Sequence, residues 1–283
     1  MKISIASGKG GTGKTTVATN LARLASADGR SVAYVDCDVE EPNGHIFLKP
    51  EIARREPVAR PVPQVDAEAC IHCGRCGEVC QYSAIICMGE QVLTFPELCH
   101  SCGGCWLVCP ADAITESDRV LGRIETGRAG EIAFVHGYLN VGEAMSPPVI
   151  RAVKAAAPEA DLLFYDAPPG TSCPVVESVR GSDLVVLVTE PTPFGLNDLK
   201  LAVGMVRALE LPFGVVINRV GVGNLETEDY CKRNRIPILA AIPDDRRIAE
   251  AYSRGQPACE VSDEYRQLFE RLLGDLCQMA RQA

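Results

Sequence analysis

The chain is short of positive charge, of long apolar runs and of tryptophan. Its 28 lysines and arginines face 37 aspartates and glutamates, for a net charge of −9. That balance argues against nucleic acid or an anionic membrane as the main partner and leaves room only for a local basic patch. No apolar stretch reaches the roughly 18 residues that a membrane span needs. No apolar leader core comes before the glycine-rich loop in the opening MKISIASGKGG, so the expected compartment is the cytoplasm. The one tryptophan, Trp106, sits beside Cys105, where packing is its expected role. At 283 residues the chain can bury a full core and form one large domain or two.

Cysteine is abundant, with fourteen residues. A reducing compartment excludes disulfides as their main use, so their spacing decides. Four run Cys70-x-x-Cys73-x-x-Cys76-x-x-x-Cys80, and four more run Cys99-x-x-Cys102-x-x-Cys105-x-x-x-Cys109 before Pro110. The second run repeats the first after 29 residues, and Ala84-Ile85 is repeated as Ala113-Ile114. Structural zinc also takes four cysteines, but its sites usually pair two separate C-x-x-C units. Unbroken runs of this spacing favour two 4Fe–4S clusters. Residues 66 to 116 resemble a bacterial two-cluster ferredoxin, apart from Gln81 where proline would follow the first run. The resemblance implies crossed ligation: Cys70, Cys73, Cys76 and Cys109 for one cluster, and Cys99, Cys102, Cys105 and Cys80 for the other.

The opening segment carries Gly8-x-x-x-x-Gly13-Lys14-Thr15 between a strand-like stretch (2–6) and a helix-like stretch (14–28). In that context the motif is a phosphate loop. Backbone N–H groups of Gly8, Gly10, Gly11, Thr12 and Gly13 can turn toward phosphate oxygens, and the helix start at Lys14, Thr15 and Thr16 adds partial positive charge. Lys14 is expected on the β- and γ-phosphates and Thr15 on Mg²⁺. Strand-like stretches then end in Asp36 and Asp38, and in Asp166 ahead of a Pro/Gly turn. Carboxylates there suit a metal ion and a water, although a single such aspartate could equally cap a turn.

With Lys9 directly after the first glycine, the loop resembles the deviant Walker A motif of the ATPases that include MinD, ParA and the nitrogenase iron protein. The resemblance covers nearly the whole chain. It implies an α/β fold with a mostly parallel sheet, ATP and Mg²⁺ as cofactors, and a homodimer formed with ATP. In that dimer Lys9 would reach the partner's nucleotide, Asp38 would position or activate the attacking water, and Asp166 would be the Walker B carboxylate. Asn218, Pro243 and Asp244 would flank the adenine. From the residues alone only Lys14 is tied to phosphate, and Lys9 could be a solvated loop lysine. The C-terminal stretch repeats Tyr265, Leu268, Leu272, Leu276 and Met279 at helical spacing with mixed charge. It reads as a helix packed on the sheet rather than a membrane anchor.

The cysteine block splits the ATPase sequence, giving expected domains of 1–60 with 117–283 for the ATPase and 61–116 for the inserted module. Pro50, Pro57, Pro61 and Pro63 read as a stiff linker into the module, and residues 117–142 as two returning strands. The insertion follows Asp38 and EEPN, where the related ATPases keep a nucleotide-sensing switch. Nucleotide state coupled to electron transfer toward a partner protein is therefore the first expected function. An assembly or carrier role for iron–sulfur or related metal cofactors is the alternative, and a positional switch with clusters as staples is a third. Cys173 lies at the offset of a cluster ligand in the nitrogenase iron protein. No second cysteine lies between residues 110 and 160 to complete such a site, so Cys173 reads as an ordinary thiol, as do Cys37, Cys87, Cys231, Cys259 and Cys277.

Overall fold

The computed structural model describes residues 1–280. It opens with β1 (Lys2–Ser7), the glycine loop, α1 (Lys14–Ala27) and β2 (Val32–Asp36). A short α2 (Gly44–Leu48) leads into β3 (Glu51–Val65). The cysteine segment holds α3 (Arg75–Val79), β4 (Ile85–Met88), β5 (Gln91–Thr94) and α4 (Gly104–Leu107). It is followed by β6 (Ile114–Ala129), β7 (Ile132–Leu139) and α5 (Pro147–Ala155). The second half alternates β8 (Leu162–Pro169), α6 (Cys173–Val179), β9 (Leu184–Thr189), α7 (Pro193–Ala208), β10 (Phe213–Val220), α8 (Glu226–Arg233), β11 (Ile238–Pro243) and α9 (Arg246–Ser253). It closes with α10 (Asp263–Met279).

The main sheet has nine strands in the order β11-β10-β9-β1-β8-β2-β7-β6-β3. All neighbours from β11 to β7 pair in parallel, and β6 and β3 add antiparallel strands at one edge. Strands such as β9 (LVVLVT) are buried along their whole length, as a parallel sheet covered on both faces requires. On one face α1 and α10 pack through Val17, Leu21, Phe269, Leu272 and Leu276. On the other, α6 and α7 pack through Val175, Val179, Leu199 and Val206. Each such side chain stabilises the fold by about 1.5–3 kcal/mol through burial. The expected C-terminal helix is there: Tyr265, Leu272 and Leu276 are buried, and Leu268 and Met279 are packed part-buried on the core. Among the described residues no helix is long and apolar enough to cross a membrane.

The proline-marked segment is not a free linker. It is the long edge strand β3, paired antiparallel with β6 from Glu51↔Arg128 to Val65↔Ile114. Pro57, Pro61 and Pro63 are tolerated because an edge strand needs ladder donors on one side only. The last pair between β6 and β7 is Gly122↔Leu139. Beyond it β3 and β6 pair only with each other as a two-stranded stalk, braced by Asn140, Glu143 and Met145, and residues 66–113 lie at its tip. The sequence repeat there is also a backbone repeat. His72 and Ser101 both have φ 55°, Gly74 and Gly103 have 79° and 78°, and Ser83 and Asp112 have 52° and 48°.

Candidate nucleotide site and cysteine cavities

The glycine loop leaves β1 and enters α1 at the carboxyl edge of the sheet, where β8 and β9 flank β1 on opposite sides. This is the usual ligand-binding crevice of an open α/β sheet. Gly13 has φ 98°, and a Cβ there would collide with the Asn218 amide. Asn218 Nδ2 donates to Thr12 O at 2.8 Å, so Asn218 at the end of β10 holds the loop from outside. A Cβ on Gly8 would overlap the Asp198 backbone of α7, so the loop is clamped from that side too.

Asp36 and Asp166 are register partners on β2 and β8. Asp36 accepts N–H bonds from Asp38 (3.1 Å), Asn43 (3.1 Å) and Gly44 (2.9 Å), which folds the loop after β2 around it. Asp36 is therefore occupied by backbone. Asp166 accepts the Tyr34 hydroxyl on Oδ2 at 2.8 Å, while its Oδ1 is buried without a partner. Such an oxygen, beside Lys14 and Thr15, suits a cation or its bound water. Asp38 accepts the Glu41 N–H at 3.3 Å and faces the same pocket. Burial, reinforced by Asp166, pushes its carboxyl up to about 6. Burial likewise raises Asp36 and Asp166, the first further through the charge of the second. Lys14 is lowered by burial, against the pull of Asp166, Asp38 and Asp36.

Three carboxylates and one lysine thus share a buried pocket with excess negative charge. A carboxyl raised above its unfolded value binds its proton more tightly in the fold. That contribution to stability is fully present below the unfolded value and is lost as pH rises through the folded one. The nucleotide-free Asp166→Asn protein is therefore expected to melt a few degrees above wild type at pH 8, for a gain of about 1 kcal/mol. The gap should narrow as the pH falls. Calorimetry at pH 8 and at acid pH checks this, and a lower melting point at pH 8 would refute it.

Lys9 does not point into open solvent. Its Nζ lies 3.5 Å from Glu190 Oε2, and Glu190 also approaches Arg219 at 3.7 Å. Glu190 was not singled out in the sequence, although a glutamate closing an all-apolar strand was a usable signal. Pro243 ends β11, and the Asp244 N–H donates to Val220 O at 3.0 Å, at the same edge as Asn218.

At the stalk tip the eight cysteines line two small cavities. The first is lined by Cys70, Cys73, Cys76 and Cys109, and the second by Cys80, Cys99, Cys102 and Cys105. The fourth cysteine of each run faces the other run's cavity. Backbone N–H groups of Ala84, Ser101 and Ala113 each donate to a sulfur, those of Cys80, Cys99 and Cys109, at 3.3 Å. Among the described residues no three His, Cys, Asp or Glu side chains converge on a single-ion site. Trp106 and His100 line the second cavity and His72 the first. Cys173 is exposed at the start of α6. Cys231 and Cys259 are buried in cores on opposite faces of the sheet and cannot form a pair.

The family description "CobQ/CobB/MinD/ParA nucleotide binding domain" matches residues 3–258. The uncharacterized protein MJ0578 of Methanocaldococcus jannaschii is 33% identical over 279 residues, 96% of each chain. A protein of the same organism named iron–sulfur cluster carrier protein is 23% identical over 96% of this chain and 83% of its own. Among solved structures, the septum site-determining protein MinD of Pyrococcus horikoshii with Mg-ADP superposes with a TM-score of 0.60 at 22% identity, over 99% of this chain and 96% of that one.

Proposed function

This chain belongs to the CobQ/CobB/MinD/ParA nucleotide-binding family, and from that membership we propose that it is an ATP-hydrolysing iron–sulfur protein whose nucleotide state controls electron transfer to a partner protein. The observation that carries the iron–sulfur part is the pair of cavities, each lined by three cysteines of one run and the fourth of the other. Four thiols drawn from two unbroken runs in this crossed pattern suit a four-iron cube better than one zinc ion. Residues 66–113 are then an inserted ferredoxin module. A cube in each cavity would supply a one-electron carrier.

The chain's own residues supply the rest. The loop 8–13 and the α1 start bind phosphates, with Lys14 on the β- and γ-phosphates. Thr15 and Asp166 hold Mg²⁺ and its water, Asp38 orients the attacking water, and Asn218, Pro243 and Asp244 border the base. Lys9 leaves Glu190 to reach the nucleotide of a second copy when ATP closes a homodimer. The coupling route is short: Val39, next to Asp38, accepts the Leu139 N–H at 2.8 Å, and β7 carries β6, one strand of the stalk.

A carrier role for iron–sulfur cofactors is the second reading, favoured by the name of the relative noted above. One experiment separates the two. Anaerobic protein is titrated by EPR with and without MgATP, alongside Lys14→Ala. Coupling predicts that MgATP shifts the cube potentials in wild type and leaves Lys14→Ala unmoved. Potentials indifferent to MgATP, or cubes that pass to an apo-acceptor, would sink it.

A further inference from the structure

The two cavities are built by one repeat, yet the charges around them differ. Ahead of Cys70 the turn is closed by the exposed Asp66, which accepts the N–H groups of Glu68 and Ala69 at 2.9 and 3.2 Å. At the equivalent place 29 residues on stands Phe95, and the turn Pro96–Leu98 ahead of Cys99 is held by a cation. The Arg60 guanidinium donates to Pro96 O at 3.1 Å, to Glu97 O at 3.4 Å and to Met145 Sδ at 2.9 Å. Arg60 is only 5% exposed, and its Nε is buried without a partner. The next residue, Pro61, accepts the Ser101 hydroxyl at 2.6 Å, so the strand bearing Arg60 is pinned to the second cavity's own loop. Nearby Arg119 takes the carboxylates of Glu143 at 2.6 Å and Glu97 at 3.9 Å, whereas the atoms that accept from the Arg60 guanidinium are all uncharged. The second cavity also has two sulfurs with backbone N–H bonds, Cys80 and Cys99, where the first has Cys109.

We infer that Arg60 makes the second cavity the better electron acceptor of the pair, so that its cube holds the electron when only one is present. A fixed positive charge beside a thiolate-bound cube stabilises the extra negative charge of reduction, and hydrogen bonds to sulfur act in the same direction. The inference rests on the reading that each cavity holds a four-iron cube. Passage of one electron from the first cavity to the second oxidises one cube and reduces the other. No proton moves, no bond breaks, and the electron comes from an external reductant, dithionite in the test below.

The test is a redox titration of the intact protein, read by EPR, on wild type, Arg60→Gln, Arg60→Lys and Asp66→Asn. The Cys102→Ala chain, which retains the first cavity's full ligand set, assigns the signals. Arg60→Gln should shift the distribution of a single electron about tenfold toward the first cavity, or about 59 mV for a one-electron couple. Arg60→Lys, which keeps the charge, should stay within about threefold of wild type. Asp66→Asn should shift the electron about twofold toward the first cavity. A purely structural Arg60 would change melting point and iron content in Gln and Lys alike and leave the potential gap in place. Full iron in Arg60→Gln with an unmoved gap overturns the inference and spares the cluster assignment. A wild type without iron and sulfide overturns the assignment itself. If Arg60→Gln loses iron, a wild type in which the first cavity is reduced before the second overturns the inference.

Discussion

Cys80→Ala protein, purified without oxygen, is expected to carry about four irons per chain against about eight expected in wild type, and the missing cube should be that of the second cysteine run. The reason is geometric. Cys80 closes the first run in sequence but lines the second cavity, with Cys99, Cys102 and Cys105. Double variants make the assignment without spectroscopy. Adding Cys102→Ala to Cys80→Ala should cost no further iron, because both residues serve one cavity. Adding Cys73→Ala should remove the remainder, because Cys73 lines the other. If each run served its own cube, the two doubles would exchange results.

Asp38→Asn is expected to lower ATP hydrolysis at least about 100-fold while nucleotide still binds. Asp36 cannot take this role, since three backbone N–H groups already occupy its carboxylate. Asp38 has one such contact and sits close enough to Lys14 and Asp166 to feel their charges. In the proposed role its working form would be the carboxylate, and burial raises its pKa to about 6. Wild-type kcat/KM, which reports the free enzyme, should therefore fall as pH drops through about 6, roughly tenfold per unit below that. The residual rate of Asp38→Asn should lack this acid limb. Steady-state phosphate release from pH 5 to 8 measures both. A variant within threefold of wild type would remove Asp38 from the chemistry.

Much of the site was legible because its signals are local. The glycine loop needs the small residues it shows, the flanking strand and helix identify its context, and the 29-residue repeat announces two equal cysteine sites. The structure matches these with a positive φ at Gly13 and with the paired φ values of the repeat. The segment around Pro57, Pro61 and Pro63 was harder, since proline argues against a strand until the strand is known to lie at an edge. Glu190 and Arg60 were illegible for another reason. Glu190 meets Lys9 across 181 residues of sequence, and Arg60 meets Pro96 across 36. Neither pairing leaves a trace in periodicity or spacing. Tyr34 lies within an apolar strand, and only the fold turns its hydroxyl onto Asp166.

The prolines of β3 also bear on how copies of this chain can associate. A bare sheet margin invites a neighbour's strand to zip onto it and so to propagate fibres. Alternate residues of a strand direct their N–H groups to the same side, so Pro61 and Pro63 together leave a gap of consecutive missing donors along that rim. Strand addition there would begin with unpaired carbonyls on the incoming chain. Polymerisation through this flank is thereby discouraged.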